Sequence, residues 1–177
     1  MEKVIALEKI NYKVKTNEWV GLGIYSLAAL SIPFAMGHPQ FLVGTLVNAT
    51  LIFAVLNLKN YQVLPLLLLP SIGVLTRGLI FGPFTVFLVY MIPFIWMGNF
   101  ILAYSVKGMK TKWLGLLIGA ILKMAFLYSI AVILIKLGIL PKPFALSMGI
   151  IQLYTALAGG VLALTLNSLI NKFSNKR

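Results

Sequence analysis

The sequence contains very little acidic charge. Three of its 177 residues are acidic, namely Glu2, Glu8 and Glu18, and all three lie near the N-terminus. The rest of the chain therefore has no carboxylate side chain with which to carry protons or to perform acid catalysis. This excludes aspartyl proteolysis within a membrane and argues against proton-coupled transport.

Cysteine is absent and histidine nearly so. Without cysteine the chain can form no disulfide and perform no thiol chemistry. Its single histidine, His38, excludes most metal clusters and leaves the serines without an evident nucleophile–base pair. No H-E-x-x-H or G-x-x-x-x-G-K-[ST] motif is present, which excludes metalloproteolysis and ATP hydrolysis by this chain. We therefore predict no catalytic residues, no metal, no cofactor and no enzymatic activity.

What the sequence does contain is apolar residues in long runs. Between Trp19 and Ile170 only eight residues are charged, and all eight are basic. With 60% hydrophobic residues and a mean hydropathy of +1.00, such a chain must be solvated by lipid. A net charge of +12 would suggest nucleic acid in a soluble protein. Here the basic residues collect between the apolar runs, so no nucleic-acid partner is predicted.

A bilayer core about 30 Å thick needs roughly 20 apolar residues per helix. The sequence predicts an all-α membrane protein, a bundle of six transmembrane helices, from these runs: Trp19 to Met36, Phe41 to Leu58, Gln62 to Phe81, Phe84 to Val106, Trp113 to Ile135 and Phe144 to Ile170. The third run contains Pro65, Pro70 and the charged Arg77, so a broken or re-entrant helix is expected there.

The predicted organisation is one transmembrane domain over residues 19–171, with an N-terminal tail at residues 1–18 and a basic C-terminal tail at residues 172–177. The N-terminal tail fits either a short amphipathic helix in the membrane interface or a solvated tail. If the N-terminus is cytoplasmic, most basic residues fall on the cytoplasmic side, and the outer connections hold Lys136 and Lys142. The positive-inside rule therefore predicts that both termini are cytoplasmic.

Arg77 and Lys123 lie inside predicted spans that contain no acidic residue. A cation at the membrane centre costs about 2.5 to 3.5 kcal/mol on insertion scales. Each must therefore contact backbone carbonyls, polar side chains, water or a ligand. Gly115 and Gly119 share a helix face with Lys123, which predicts that this face packs closely against another helix.

Polar and aromatic residues recur on other predicted helices. Such groups either bond helices to one another or line a small-molecule pocket, which combines apolar walls with a few polar groups. The candidate substrate-binding residues are Asn48, Arg77, Tyr90, Trp96, Asn99, Lys123 and Gln152.

Three segments carry short motifs that resemble those of one membrane-protein family. Residues Pro39 to Leu51 include Gly44-Thr45 and Val47-Asn48, residues Ile92 to Asn99 fit P-x-I-x-x-G-N, and residues Gly119 to Leu127 include Lys123 four residues before Leu127. These segments are similar to the second, fourth and fifth helices of the S components, the substrate-binding membrane subunits of energy-coupling factor (ECF) transporters. The resemblance spans about residues 20 to 170.

The resemblance implies a high-affinity binding subunit in a prokaryotic cell membrane. It would take up a vitamin-like solute and pair with a transmembrane coupling protein and two ATPase subunits. It also implies that Asn48, Asn99 and Lys123 line or support the pocket. Small residues of the first helix would dock the coupling protein, in a pattern that Pro33 interrupts: Ala28, Ala29, Ser31 and Ala35. The two cations within spans favour an anionic or carbonyl-rich solute.

Other functions stay open from the sequence alone. A structural subunit that anchors a redox or hydrogenase-type complex would bind no small molecule. An autonomous transporter or channel would carry solute without ATP or partners. A membrane enzyme would show turnover as the pure protein.

Overall fold

The structure is built from helices joined by short connections. This computed structural model describes the backbone at residues 2–36, 38–81 and 83–174, and the side chains at residues 19–36, 38–59, 61–78 and 87–173. The helices are α1 (Glu2–Met36), α2 (Gln40–Asn57), α3 (Asn60–Phe81), a 3₁₀ helix (Pro83–Met91), α4 (Ile92–Gly108), α5 (Lys112–Lys136), α6 (Pro143–Met148) and α7 (Ile150–Ser174). Every regular element in the described backbone is helical.

Five helical segments of the described residues are long and apolar enough to cross a membrane: Trp19–Met36, Gln40–Asn57, Phe87–Gly108, Lys112–Lys136 and Pro143–Phe173. The all-helical prediction is confirmed, and the five segments support a multi-pass membrane protein by their length and composition. The helix of the third predicted run, α3, is not in this group.

The break expected in the third run is not found. The backbone of α3 is one continuous helix from Asn60 to Phe81, with Pro65 and Pro70 inside it. A proline lacks the N–H that would bond the carbonyl four residues earlier, and so weakens the preceding turn. In the turn before Pro70, Asn99 Nδ2 from α4 donates a hydrogen bond to Leu67 O at 3.2 Å. A neighbouring helix thus supplies a donor close to the point where the proline removes one.

Interruptions occur instead in the fourth and sixth runs. The 3₁₀ helix precedes α4, and Gly149 separates α6 from α7 with a φ of −97° and a ψ of −110°, outside the helical region. A Cβ atom at Gly149 would lie 2.7 Å from Ala145 O and 2.9 Å from the ring of Tyr128 on α5. The sixth run is therefore two helices rather than one, joined at a glycine that packs against the Tyr128 ring of α5.

The two predicted tails are described only in part. The backbone of the N-terminal tail continues directly into the first apolar run as α1, which begins at Glu2. The side chains of residues 1–18 and the whole of residues 175–177 lie outside the described part of the chain. An amphipathic N-terminal surface and a basic C-terminal tail therefore stay predictions.

The long helices pack in pairs. α2 packs mainly against α7, α4 against α5, and α1 against α3. Further contacts of α5 with α7 and of α2 with α4 close a common interior between these four helices. The interior is filled by apolar side chains, among them Ile52, Leu102 and Leu116, which are at most 2% exposed.

α2 and α7 run in the same direction with a nearly constant register. Three side-chain hydrogen bonds, each 3.3 Å long, join α2 to the sixth run at successive levels: Ser147 Oγ to Gln40 Oε1, Asn48 Nδ2 to Thr155 Oγ1 and Asn57 Nδ2 to Asn167 Oδ1. The partners are 107, 107 and 110 residues apart in the sequence. In antiparallel helices the difference between the two residue numbers would change from one bonded pair to the next. Because it stays nearly constant here, the helices are parallel.

α4 shares this direction. Lys107 Nζ, near the end of α4, donates a hydrogen bond of 2.9 Å to Leu58 O, which directly follows α2. The ends of α2 and α4 therefore lie at the same end of the bundle. Since α2, α4 and α7 are parallel, the first residues of all three helices lie toward the same end of the bundle.

The close approach of α2 and α7 depends on Gly159. A Cβ atom at this position would overlap with Thr45 O and would lie 2.9 Å from Asn48 Cβ. Glycine allows two backbones to approach to a distance that any side chain would prevent. Gly159 thereby places the Asn48 side chain within reach of α7.

We expect Gly159→Ala to lower the free energy of unfolding by about 1 to 3 kcal/mol, because the new methyl group must push α7 away from α2. Thermal unfolding of the purified protein in detergent measures the change. Gly23→Ala is the matched control, since no atom lies within 4 Å of a Cβ placed at Gly23. Equal melting temperatures for the two variants would contradict the role given to Gly159.

Candidate functional site

Lys123 lies near the middle of α5 and is 2% exposed. Its Nζ donates hydrogen bonds to Asn48 Oδ1 at 2.8 Å and to Asn99 Oδ1 at 2.9 Å. Both asparagines are buried near the middle of their helices, α2 and α4. One amine group therefore joins three membrane-spanning segments at mid-length.

The partners of Lys123 are neutral. The sequence has no acidic residue after Glu18, so amide dipoles take the place of a carboxylate. Two oxygens accept from Lys123, and an ammonium group has three N–H donors. The sequence left open what this cation would contact, and among the described residues it contacts two carboxamides of the same chain.

The hydrogen bonds continue beyond Lys123. Asn48 Nδ2 donates to Thr155 Oγ1, and Thr155 Oγ1 donates to Gln152 O at 3.2 Å within α7. Asn99 Nδ2 donates to Leu67 O on α3, as described above. We call Lys123, Asn48, Asn99 and Thr155 the Lys123 network, and through it five helices are connected by polar side chains.

Glycines bring the network helices together. The predicted close packing at Gly115 and Gly119 is found against α4, because Cβ atoms at these positions would lie 2.5 Å from Ser105 O and 2.8 Å from Ser105 Cβ. At Gly98, next to Asn99, a Cβ atom would lie 3.3 Å from Cγ of Lys123. The aliphatic part of Lys123 is thus packed directly against α4.

Trp96 lies three residues before Asn99 on α4, and the structure gives it a distinct property. Its side chain is half-buried, but its Nε1 atom is buried and has no hydrogen-bond partner among the described residues. Thr45 Oγ1, Ser71 Oγ and Gln62 Nε2 share this property. A buried donor without an acceptor costs about 1 to 3 kcal/mol, so these four atoms require an explanation.

The remaining predicted site residues lie elsewhere or contribute differently. Arg77 is half-buried and its Nη1 donates to the carbonyls of Phe34 and Ala35 at 2.9 and 3.0 Å, near the end of α1. Tyr90, in the 3₁₀ helix, is 53% exposed. Gln152 is half-buried, and its backbone carbonyl accepts the bond from Thr155. The structure therefore brings Asn48, Asn99 and Lys123 into direct contact, and not Arg77 or Tyr90.

The residues predicted to dock a coupling protein are not all on the surface. Ala29 is fully buried against α2 and α3, where a partner cannot reach it. Ala28 and Ser31 are half-buried, Ala35 is exposed, and Ser31 Oγ donates to the carbonyl one turn earlier. Pro33 is buried, so it does not interrupt an outer surface of α1.

Sequence reasoning missed Thr45, Ser71 and Thr155 as site residues. Thr155 shares a helix face with Gln152 and Gly159, so its position toward the interior is visible in the spacing. Thr45 is marked in the same way, because it shares a helix face with Gly44 and Asn48. No comparable signal marks Ser71, because hydroxyls within apolar helices commonly bond their own backbone. Thr50 and Thr76 do so here.

No group of three potential metal ligands occurs among the described residues. In comparisons with known proteins, the chain matches no protein-family model, no curated protein and no solved structure. The function is therefore argued from the site itself.

We expect Lys123→Met to destabilise the protein by about 1 to 3 kcal/mol, because two buried amide oxygens lose their donor. Methionine is close to lysine in volume, so little packing is lost. Thermal unfolding in detergent measures the change. Lys136→Met, at the exposed end of the same helix, is the control and should leave the melting temperature unchanged. A Lys123→Met protein as stable as this control would show that the network contributes nothing to stability.

Proposed function

We propose that this protein is the substrate-binding subunit of an ECF-type importer in a prokaryotic cell membrane. It would bind a small, vitamin-like solute with high affinity and transfer it to a transmembrane coupling protein driven by two ATPase subunits. The protein itself would not be an enzyme. The resemblance of the second, fourth and fifth predicted helices to S components suggested this function, and the arrangement of their polar residues supports it.

The observation that carries the proposal is the Lys123 network. Residues from the three resembling segments, Asn48, Asn99 and Lys123, contact one another in the middle of the bundle. Burying an amine among four membrane helices is costly, and intramembrane ionisable groups usually mark a pathway or binding site. A passive anchor could fill this space with leucine at no such cost.

The topology we propose has six spans, with α3 as the additional span and both termini in the cytoplasm. In this orientation α2, α4 and α7 begin at the outer surface and end at the cytoplasmic one. The solute would enter from the end where these helices begin. The coupling protein would contact α1, because only 11% of its span Trp19–Met36 is buried within this protein.

One observation favours a second function, that of a structural subunit of a redox or hydrogenase-type complex. Among the described residues, the acceptors of Lys123 are two asparagines of this same chain. The network therefore also bonds the helices of this protein to one another. In that case no solute is needed to complete it.

A single purification separates these functions. We expect the tagged protein, isolated from its own host into lipid nanodiscs, to retain a small molecule detectable by mass spectrometry. A coupling protein and two ATPase subunits should co-purify with it. Lys123→Met should weaken solute binding at least tenfold, whereas Lys136→Met should not. Soluble redox subunits without any retained solute would support the structural function instead.

The orientation has its own test, since the chain contains no cysteine and needs no background substitutions. We expect Lys142→Cys to react with a membrane-impermeant maleimide on intact cells, because this exposed residue lies in the proposed outer connection before α6. Lys110→Cys, equally exposed between α4 and α5, should react only after permeabilisation. The opposite labelling pattern would invert the proposed topology.

A further inference from the structure

Two lysines are held side by side at the end of the bundle where α2 and α4 end and α5 begins. Lys107 Nζ donates a hydrogen bond of 2.9 Å to Leu58 O. Lys112 Nζ donates to Lys107 O at 2.8 Å and to Met109 O at 3.0 Å. The last carbonyls of a helix carry partial negative charge and attract cations. Carbonyls at the ends of α2 and α4 therefore fix two ammonium groups that come from different helices.

These carbonyls do not neutralise the two cations. A carbonyl is an uncharged dipole, and the charges of Lys107 and Lys112 are close enough to repel one another. The described side chains include no acidic residue, and two further lysines, Lys59 and Lys110, are exposed in the α2–α3 and α4–α5 connections. This end of the bundle therefore carries concentrated positive charge without a counter-charge among the described side chains.

The two fixed lysines also have hydrogen-bonding capacity to spare. An ammonium group has three N–H donors. Among the described residues, Lys112 uses two of them and Lys107 uses one. Charge-assisted hydrogen bonds to an anion are stronger than bonds to neutral groups. An anion placed between Lys107 and Lys112 would take up the remaining donors and remove the repulsion between the two charges.

The surroundings of these lysines are those of a membrane interface. Lys107 is in the last turn of α4, and Lys112 is the first residue of α5. Nearby, Trp113 is 53% exposed, and Tyr61 at the start of α3 is 61% exposed. Such aromatic side chains are enriched at the level of the lipid headgroups. Exposed apolar side chains then follow along α5, namely Leu114, Leu117, Ile118 and Ile121. A headgroup bound at the lysines would thus have its acyl chains beside an apolar surface.

We propose that Lys107 and Lys112 bind the phosphate group of an anionic phospholipid. Each lysine donates a charge-assisted hydrogen bond to a phosphate oxygen, and the exposed Lys59 and Lys110 add to the attraction. Basic pockets between membrane helices are suited to anionic headgroups. A free phosphate ion would meet the same donors but would leave the apolar surface of α5 unused. The bound lipid stabilises the ends of α2, α4 and α5 against one another.

This inference is independent of the proposed function. It uses no residue of the Lys123 network, and it applies equally to an importer subunit and to a structural subunit. In the proposed topology these lysines face the cytoplasmic leaflet, where anionic lipids produce a negative surface potential.

The test is native mass spectrometry of the purified protein in detergent, titrated separately with phosphatidylglycerol and with phosphatidylcholine of the same acyl chains. We expect phosphatidylglycerol to bind about tenfold more tightly, since each lysine near an anionic headgroup adds to the affinity. This preference should weaken as the ionic strength is raised, because salt screens exposed charges. Phosphatidylglycerol should also raise the melting temperature more than phosphatidylcholine does.

The variant that tests the site combines Lys107→Gln with Lys112→Gln. Each substitution removes a charge and keeps an N–H donor, so the double variant should bind the two lipids equally well. Lys136→Gln combined with Lys142→Gln is the matched control, because it removes two exposed lysines at the opposite end of α5 and should keep the preference. A purely structural role of Lys107 and Lys112 would lower the melting temperature and leave the lipid preference unchanged. If the double variant does not fold, the two single variants are compared in the same way.

The results that would overturn the inference are distinct. Equal binding of the two lipids by the unmodified protein would show that the lysines select no anionic headgroup. An equal loss of preference in the control variant would show general attraction by charge rather than a site. If inorganic phosphate displaces the lipid and stabilises the protein as well as it does, the occupant is a free anion. If the double variant keeps its lipid preference but loses a co-purifying protein, the occupant is an acidic partner. The retention of a solute is a separate measurement, so none of these results decides the proposed function.

Discussion

The bond from Lys123 to two asparagines is the constraint around which the bundle is arranged. In lipid no water is available to solvate a displaced amine or carboxamide, so each group keeps its partner or is left without one. Because Asn48 and Asn99 each also donate to a further helix, a shift of one helix would break bonds in several others. The apolar clusters supply contact area, whereas this network specifies how the helices are aligned.

Small residues make such short polar contacts possible. Asparagine reaches only a few ångströms from its backbone, so the helices must come close before its amide can bond across them. Gly159 beside Asn48 and Gly98 beside Asn99 provide that proximity. The close approach of the helices and the polar bonds between them therefore depend on the same two pairs of residues.

Much of the interior could be predicted from the sequence, for a physical reason. A lysine with no acidic partner is conspicuous in an apolar run, and helical periodicity shows which residues share its face. The continuity of α3 could not be predicted in this way. Pro65 and Pro70 are local signals for a break, whereas the Asn99 amide near Pro70 comes from a distant part of the chain. The break at Gly149 was missed because one glycine within a mostly apolar run is compatible with a continuous helix.

The parallel register of α2 and α7 also limits where residues can be inserted into or deleted from this sequence. Two bonds, from Asn48 to Thr155 and from Asn57 to Asn167, join α2 to α7, and a third joins Gln40 at the start of α2 to Ser147 of α6. One amino acid inserted between two of these levels would rotate the following part of the helix by about 100° and turn its polar groups toward lipid. Insertions and deletions in homologous chains should therefore be confined to the connections, such as residues 137–142, while these two helices keep their spacing.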